Sequence, residues 1–140
     1  MSDSPTFIDT NVLVYAYDSD AGDKHQTAKL LVTELWQNRR GLISTQVLQE
    51  FYVTVTHKLP KPLSKQQARE VVQTYAAWSV YRPTSGDVVA ASALEEHHKL
   101  SFWDAMIVVA AQMSGATKLL SEDMQHGRRL GQVTINNPFA

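Results

Sequence analysis

Short apolar runs alternate along the chain with longer stretches whose apolar positions recur every three or four residues. Thr6-Phe7-Ile8, Leu42-Ile43-Ser44, Ser79-Val80-Tyr81-Arg82 and Lys118-Leu119-Leu120 have the length and composition of strands, and Val133-Thr134-Ile135 makes a fifth. Between them the helical period dominates. Ala28, Leu31, Leu35 and Trp36 form a stripe within a helix predicted over Asp23–Arg40, with Gly41 as its stop. Thr45–Leu59 is a second predicted helix, with Val47, Leu48, Phe51, Tyr52 and Val55 on its core face and Pro60 and Pro62 closing it. Ser64–Trp78 is a third, with Ala68, Val71, Val72 and Tyr75 on one side. Thr84–Lys99 and Ser101–Met113 follow, the last nearly all apolar. Val12–Tyr17 fits strand or helix by composition. Asn11 as an N-cap and the polar break at Asp18–Asp23 decide for helix.

Short apolar strands separated by helices predict an α/β fold with a mainly parallel sheet of four to five strands. The chain has 140 residues, within the usual range for one domain, and no linker or low-complexity stretch divides it. A single domain over 1–140 is therefore expected.

Composition narrows the classes. With 44% hydrophobic and 19% charged residues the chain can build a core, so disorder is excluded as its main state. There is no cysteine, which removes disulfides, thiolate nucleophiles and Cys-ligated metal sites and fits a reducing compartment. Met1-Ser2-Asp3-Ser4-Pro5 lacks the basic and apolar regions of a signal peptide. The longest apolar run, Ala105–Ala111, is far short of the roughly 20 residues of a membrane span. A soluble, cytoplasmic protein is expected. The formal net charge is −1, which argues mildly against a nucleic-acid binder; with four carboxylates committed to one site, however, the rest of the surface carries +3. Placement of the acids decides.

In a parallel α/β sheet, ligands bind outside the carboxyl ends of the strands. Asp9 follows the first strand directly, and Asp123 follows Leu119-Leu120-Ser121 with Glu122 between. Either could instead serve as a turn or cap residue. Asp104 stands at the start of an otherwise apolar helix, where a charge is costly unless paired or metal-bound. Ser101 and Asp104 also have capping-box spacing, so both readings apply to it. Thr84 and Asp87 repeat that spacing on a more polar helix, and Asp87 is assigned the cap. Glu50 borders the core face of its helix. Two carboxylates about 4 Å apart repel by about 4 kcal/mol at an effective dielectric of 20. A cluster of them holds protons or a divalent cation. Oxygen ligands without His or Cys suit Mg²⁺ or Mn²⁺, and the usual use of such a cluster is phosphoryl chemistry.

Four segments carry a resemblance. Phe7-Ile8-Asp9-Thr10-Asn11-Val12-Leu13 resembles the opening motif of PIN-domain nucleases, and Ser44–Phe51 the second, with Glu50 as its acid. Ser101-Phe102-Trp103-Asp104-Ala105 resembles the third and Leu120-Ser121-Glu122-Asp123 the fourth, with Asp104 and Asp123 as their acids. Asn137-Pro138-Phe139 is also similar to the close of bacterial members. Any one motif is weak, but four in register over nearly the whole chain are strong. The closest group is the VapC-like toxins of type II toxin–antitoxin pairs. The resemblance implies a three-layer α/β/α fold and a metal-dependent endoribonuclease, commonly dimeric and inhibited by a protein antitoxin. It implies that Asp9, Glu50, Asp104 and Asp123 bind Mg²⁺ or Mn²⁺ and carry catalysis, with Asn11 and Ser121 as polar supports. Glu122 is the alternative to Asp123; the motif puts the acid at Asp123.

The remaining features are weighed against plainer roles. His97 and His98 diverge by about 100° on a helix and do not form a metal pair. His25, His57 and His126 are isolated and are read as surface or capping residues. Trp36, Trp78 and Trp103 are read as core or partial-core aromatics. Lys58, Lys61, Lys65 and Arg69 cluster about the Pro60–Pro62 turn, either as a solvated face or as an RNA phosphate clamp, and Arg128-Arg129 form a second basic spot. The apolar residues of Val12–Tyr17 serve the core or a dimer interface. The competing functions are a structure-specific DNA nuclease of related fold and a catalytically silent RNA- or protein-binding domain. A phospho-receiver needs an acceptor Asp after the third strand, and Val80-Tyr81-Arg82-Pro83-Thr84 offers none.

Overall fold

Thr6–Ile8 (β1) lies at the centre of the sheet, buried along its whole length between β2 (Gly41–Ser44) and β4 (Lys118–Leu120), both parallel to it. The structure, a computed structural model, describes residues 4–140. β3 (Ser79–Tyr81) extends the sheet beyond β2, and β6 (Val133–Asn136) extends it beyond β4, again parallel. A two-residue strand, β5 (Arg129–Leu130), pairs antiparallel with β6, giving the order β3-β2-β1-β4-β6-β5. The sheet thus has six strands where four to five were expected. β5 is too short to leave a period in the sequence, and it is held by its hairpin to β6, by Gln112 Nε2 donating to the Leu130 carbonyl at 3.2 Å and by the buried Leu130 side chain.

Among the described residues six α-helices connect the strands: α1 (Thr10–Tyr17), α2 (Asp23–Asn38), α3 (Thr45–His57), α4 (Lys65–Tyr75), α5 (Ser85–His98) and α6 (Phe102–Met113). α1 to α4 pack on one another, and α5 packs on α6, whose other neighbours are β2, β4 and β6. The two groups take opposite faces, giving the three-layer α/β/α arrangement. This follows from right-handed crossovers. The chain steps outward from β1 to β3 on one face, then returns over the other face to place β4 on β1's free side. The main core gathers Phe7, Ile8, Leu13, Ile43, Phe51 and Leu119, and a smaller cluster of Ala91, Ala105, Met106 and Val109 joins α5 to α6. Val12, Leu13, Val14 and Ala16 are buried in this core, which settles their role as core residues. Among the described residues no helix is long and apolar enough to cross a membrane. The reading of Met1–Asp3 as free of a signal peptide lies outside the described residues.

Several boundaries differ from the sequence reading for local reasons. α1 begins at Thr10, and its N-cap is Asp9, whose side chain accepts from the Thr10 N–H, so Asn11 is not the cap. α2 ends at Asn38 with Arg39 in the left-handed region at its C-cap. Gly41 does not stop that helix. It opens β2, where a Cβ would stand 2.5 Å from Trp78 Cζ3, so the indole leaves room only for hydrogen. α3 and α4 are each shorter than predicted. Ser64 caps α4 in a full capping box with Gln67, and Thr84 and Asp87 make the same box on α5, as assigned. Trp36 and Trp78 pack with Tyr75 in an aromatic cluster. Trp103, expected in or near the core, is 62% exposed. It sits in the first turn of α6, before the buried Ala105–Ala111 run enters the sheet.

Candidate active site

The order of strands reverses between β1 and β4, and that switch point is where open α/β sheets form their ligand crevice. Asp9 leaves β1 there and Ser121-Glu122-Asp123 leaves β4, with the Asp9 N–H donating to the Leu120 carbonyl at 2.9 Å. Asp9 is only 4% exposed. Its Oδ1 accepts from the Thr10 N–H at 2.7 Å, and its Oδ2 accepts from the Ser121 hydroxyl at 2.8 Å and from Asn11 Nδ2 at 3.5 Å. Burial pushes the Asp9 carboxyl from 3.8 up to about 7. The Ser121 and Thr10 bonds oppose that rise, and the charges of Asp104 and Asp123 add to it.

Capping releases Asn11 for another task. Its Nδ2 donates to Asp123 Oδ2 at 3.0 Å, its Oδ1 accepts from the Glu122 N–H at 3.1 Å, and it thereby ties the β4 turn to α1. The Asp123 N–H donates in turn to Ser121 Oγ at 3.2 Å. Asn11 and Ser121 both lie between Asp9 and Asp123. Glu122 faces the other way: its carboxylate accepts from the Tyr15 hydroxyl at 2.6 Å and pairs with Lys24. Asp123, and not Glu122, is the acid that this turn presents beside Asp9.

Glu50 arrives from α3. The Thr10 hydroxyl donates to its Oε1 at 2.6 Å, and Gln46 Nε2, one helical turn earlier, donates to its Oε2 at 3.1 Å. The same Gln46 nitrogen reaches the Trp103 carbonyl at 3.3 Å, so one buried amide joins α3 to the start of α6. At that start, Ser101 Oγ accepts from the Asp104 N–H at 3.1 Å, forming half of the predicted capping box. The return bond, present at Thr84 and Asp87, is not made here. Asp104 is raised above its ordinary value by burial first, with the Ser101 hydroxyl opposing and the charges of Asp123 and Glu50 adding to the rise.

Four carboxylates from four elements therefore share one electrostatic neighbourhood. Among the described residues the ion pairs are Lys24–Glu122, Lys61–Asp20 and His97–Glu96, so none neutralises the four. Nor do any three acidic or histidine side chains among the described residues already converge as a closed metal cage. The donor set nonetheless fits a hard divalent cation. Mg²⁺ keeps several waters and commonly takes only one or two carboxylates together with substrate phosphates, so an open, oxygen-only and uncompensated cluster is the chemistry that it needs.

Beside the acids runs a groove of about 650 Å³ whose lining includes Thr10, Asn11, Glu50 and Asp123 together with Lys58 and Leu59. The basic cluster read from sequence is spread out. Lys58 lines this groove, Lys61 lies 3.9 Å from Asp20, and Lys65 opens α4. Arg69 lines a second, largely apolar groove of about 450 Å³ with Leu48, Tyr52 and Val72, which borders the first at Gln49 and Val53. Arg128 donates to the His98 carbonyl at 2.8 Å and Arg129 to the Gly131 carbonyl at 3.1 Å. The isolated histidines are bound locally, His25 Nδ1 lying 2.8 Å from the Tyr15 carbonyl and His126 Nδ1 accepting from the Asn137 N–H at 2.8 Å. The residues that sequence reasoning passed over are Thr10, Gln46, Tyr15 and Lys24. Gln46 alone left a usable signal, a polar residue four positions before Glu50 on the same helix face.

Comparison with known proteins follows the same lines. A family profile described as PIN domain matches residues 6–129. Among curated proteins no significant match is found. Solved structures that resemble the chain include a toxin–antitoxin complex from Klebsiella pneumoniae, 22% identical, covering 95% of this chain and 97% of that one with a TM-score of 0.67. VapC20 from Mycobacterium tuberculosis, described as a sarcin–ricin loop cleaving toxin, is 18% identical over 81% of this chain and 86% of its own, with a TM-score of 0.62. VapBC2 from Rickettsia felis, bound to a DNA fragment from its promoter, is 18% identical over 94% of this chain and 97% of its own, with a TM-score of 0.64.

Proposed function

The chain belongs to the PIN domain family, and from that premise we propose that it is a Mg²⁺- or Mn²⁺-dependent endoribonuclease acting as the toxin of a toxin–antitoxin pair. The observation that carries the reading is the cluster of Asp9, Glu50, Asp104 and Asp123 at the sheet's switch point, partly desolvated and without an ion pair among the described residues. A cation bound there supplies a water of lowered pKa and neutralises charge on the phosphate. The chain's own part is positioning. Thr10 and Gln46 fix both oxygens of Glu50, and Ser121 and Asn11 hold Asp9 and Asp123 side by side.

The groove that holds Asp123 and Lys58 is the proposed path of the RNA strand, with Lys58 as a phosphate contact and Lys61, Lys65 and Arg69, outside its lining, as further candidates. The protein partner is an antitoxin, a reading supported by the toxin–antitoxin complexes among the structural neighbours. A homodimer in the cytoplasm completes the proposal; the first rests on the family resemblance and the second on the absence of cysteine. The test compares cleavage of single-stranded RNA with that of flap DNA by the purified protein in Mn²⁺. RNA cutting is expected; a preference for the flap assigns the DNA-nuclease function instead. Calorimetric titration with Mn²⁺ covers the remaining reading, since a protein that binds no Mn²⁺ and cuts neither substrate is a silent binding domain.

A further inference from the structure

The Asn137-Pro138-Phe139 segment has no place in the acid cluster, yet a chain of contacts runs from it into that cluster. Asn137 Oδ1 accepts from the Phe139 N–H at 2.9 Å, and the Asn137 N–H is held by His126 at 2.8 Å, which fixes the turn after β6. The Phe139 ring then meets Tyr15 edge-to-face, with centroids 5.1 Å apart and planes at 81°. Lys24 Nζ lies 5.3 Å from the Tyr15 centroid and 6.0 Å from that of Phe139, so one ammonium caps both rings. Lys24 and the Tyr15 hydroxyl both hold Glu122, whose N–H is bound by Asn11, and Asn11 holds Asp123 and Asp9.

We infer that Phe139 and Tyr15 are positioning residues of the acid site, a strut that keeps the Ser121-Glu122-Asp123 turn against Asn11. The physical need is evident. Asn11 Nδ2 donates to both Asp123 and Asp9, so the place of the turn sets how the two carboxylates stand to one another. Among the described residues, the hydrogen bonds and the ion pair just named tie the β4 turn to α1 and α2, beside the bond from Ser121 to Asp9 at the start of α1. Tyr15 is half-buried, and Phe139 is the ring that confines it. Residues that orient ligands from outside in this way commonly change metal affinity or activity about 10- to 100-fold when lost. The consequence for a bound cation rests on the functional reading above; the positioning of the turn does not.

The test therefore has two readouts. In the metal-free protein, amide hydrogen exchange is measured at Glu122 and Asp123 and, as an internal control, at Leu120. Phe139→Ala and Tyr15→Phe are each expected to speed exchange at Glu122 and Asp123 about tenfold while leaving Leu120 unchanged, and Phe139→Tyr is expected to restore the slow rate. The double variant is expected to fall short of the sum of the two singles, because Phe139 and Tyr15 both act on the hold that Tyr15 and Lys24 keep on Glu122. In Mn²⁺ titrations the same variants bind about tenfold more weakly, with KM for RNA unchanged and kcat reduced. Unchanged exchange at Glu122 and Asp123 in both single variants overturns the inference, as does full additivity. A wild-type protein that binds no Mn²⁺, while the exchange pattern holds, overturns the nuclease reading and leaves the strut standing.

Discussion

The Thr10 hydroxyl donates to Glu50 Oε1 at 2.6 Å across 40 positions of sequence. The residue that follows Asp9 thus orients the acid that arrives from α3, and the backbone N–H of the same residue holds Asp9 itself. One threonine couples two of the four carboxylates. Thr10→Val keeps the shape and removes the donor. Mn²⁺ affinity and cleavage are expected to fall about 10-fold or more, while unfolding free energy changes by only about 1 kcal/mol. Calorimetric titration and urea denaturation of the same preparation check both halves.

Asp9 gives the site a pH signature. Its folded-state pKa is raised, to about 7 from 3.8, chiefly by burial. Between those values the folded protein keeps a proton that the unfolded chain releases, so metal-free stability falls as pH rises through this window and stays low above it. Asp104 shifts in the same direction. Thermal unfolding of the metal-free protein is expected at a lower temperature at pH 8 than at pH 5. Asp9→Asn is expected to flatten that dependence and to stabilise the protein at pH 8 by roughly 1–3 kcal/mol. Because a cation needs the ionised carboxylate, Mn²⁺ affinity rises over the same range.

The turn after β4 separates two neighbouring acids. Glu122 is committed to Tyr15 and Lys24, and Asp123 faces Asn11 and the cluster. Asp123→Asn is expected to weaken Mn²⁺ binding severely, whereas Glu122→Gln, which keeps an acceptor for Tyr15, has the smaller effect. Equal losses in a side-by-side titration contradict this division.

Gly41 offers a control far from the chemistry. A methyl group there meets the Trp78 ring at 2.5 Å, against a packed aromatic cluster that includes Trp36 and Tyr75. Gly41→Ala is expected to cost about 1–3 kcal/mol of stability with metal affinity unchanged, as read by urea denaturation and titration.

Lys58 stands in the acid groove and is the basic residue best placed to meet a phosphate there. Lys58→Ala is expected to raise KM for RNA a few-fold and to lower the slope of log affinity against log salt by about 1. A similar result for Arg69→Ala, in the adjoining apolar groove, places the strand along α3 and α4 as well.

What the sequence disclosed and what it hid have physical reasons. The strands β1, β2 and β4 and the helices between them were legible because each buries a continuous apolar run or stripe. Asp9 and Asp123 were legible because a parallel sheet places strand-end residues at one edge. The N-cap of α1 was misplaced because Asp9 and Asn11 are both capable caps, and only the fold shows which side chain meets the first free N–H. Gly41 read as a helix stop because a glycine after a helix usually is one. Its reason for being there is the Trp78 ring, which arrives from 37 residues downstream. Trp103 read as core because large aromatics usually are, but the buried part of α6 begins two residues later. β5 and the Gln46 bridge depend on contacts between distant segments and leave no local period.

The most direct test of the central claim is cleavage of a mixed RNA pool that includes transfer RNA, by wild type and Asp104→Asn side by side in Mn²⁺, each with and without chelator. Asp104, like Asp9, is raised by burial, with the charges of Asp123 and Glu50 adding to the rise. The expected result is discrete cutting by the wild type alone, abolished by chelator, with the variant folded and inactive. Cutting by Asp104→Asn at the wild-type rate, or cutting that survives the chelator, contradicts the account.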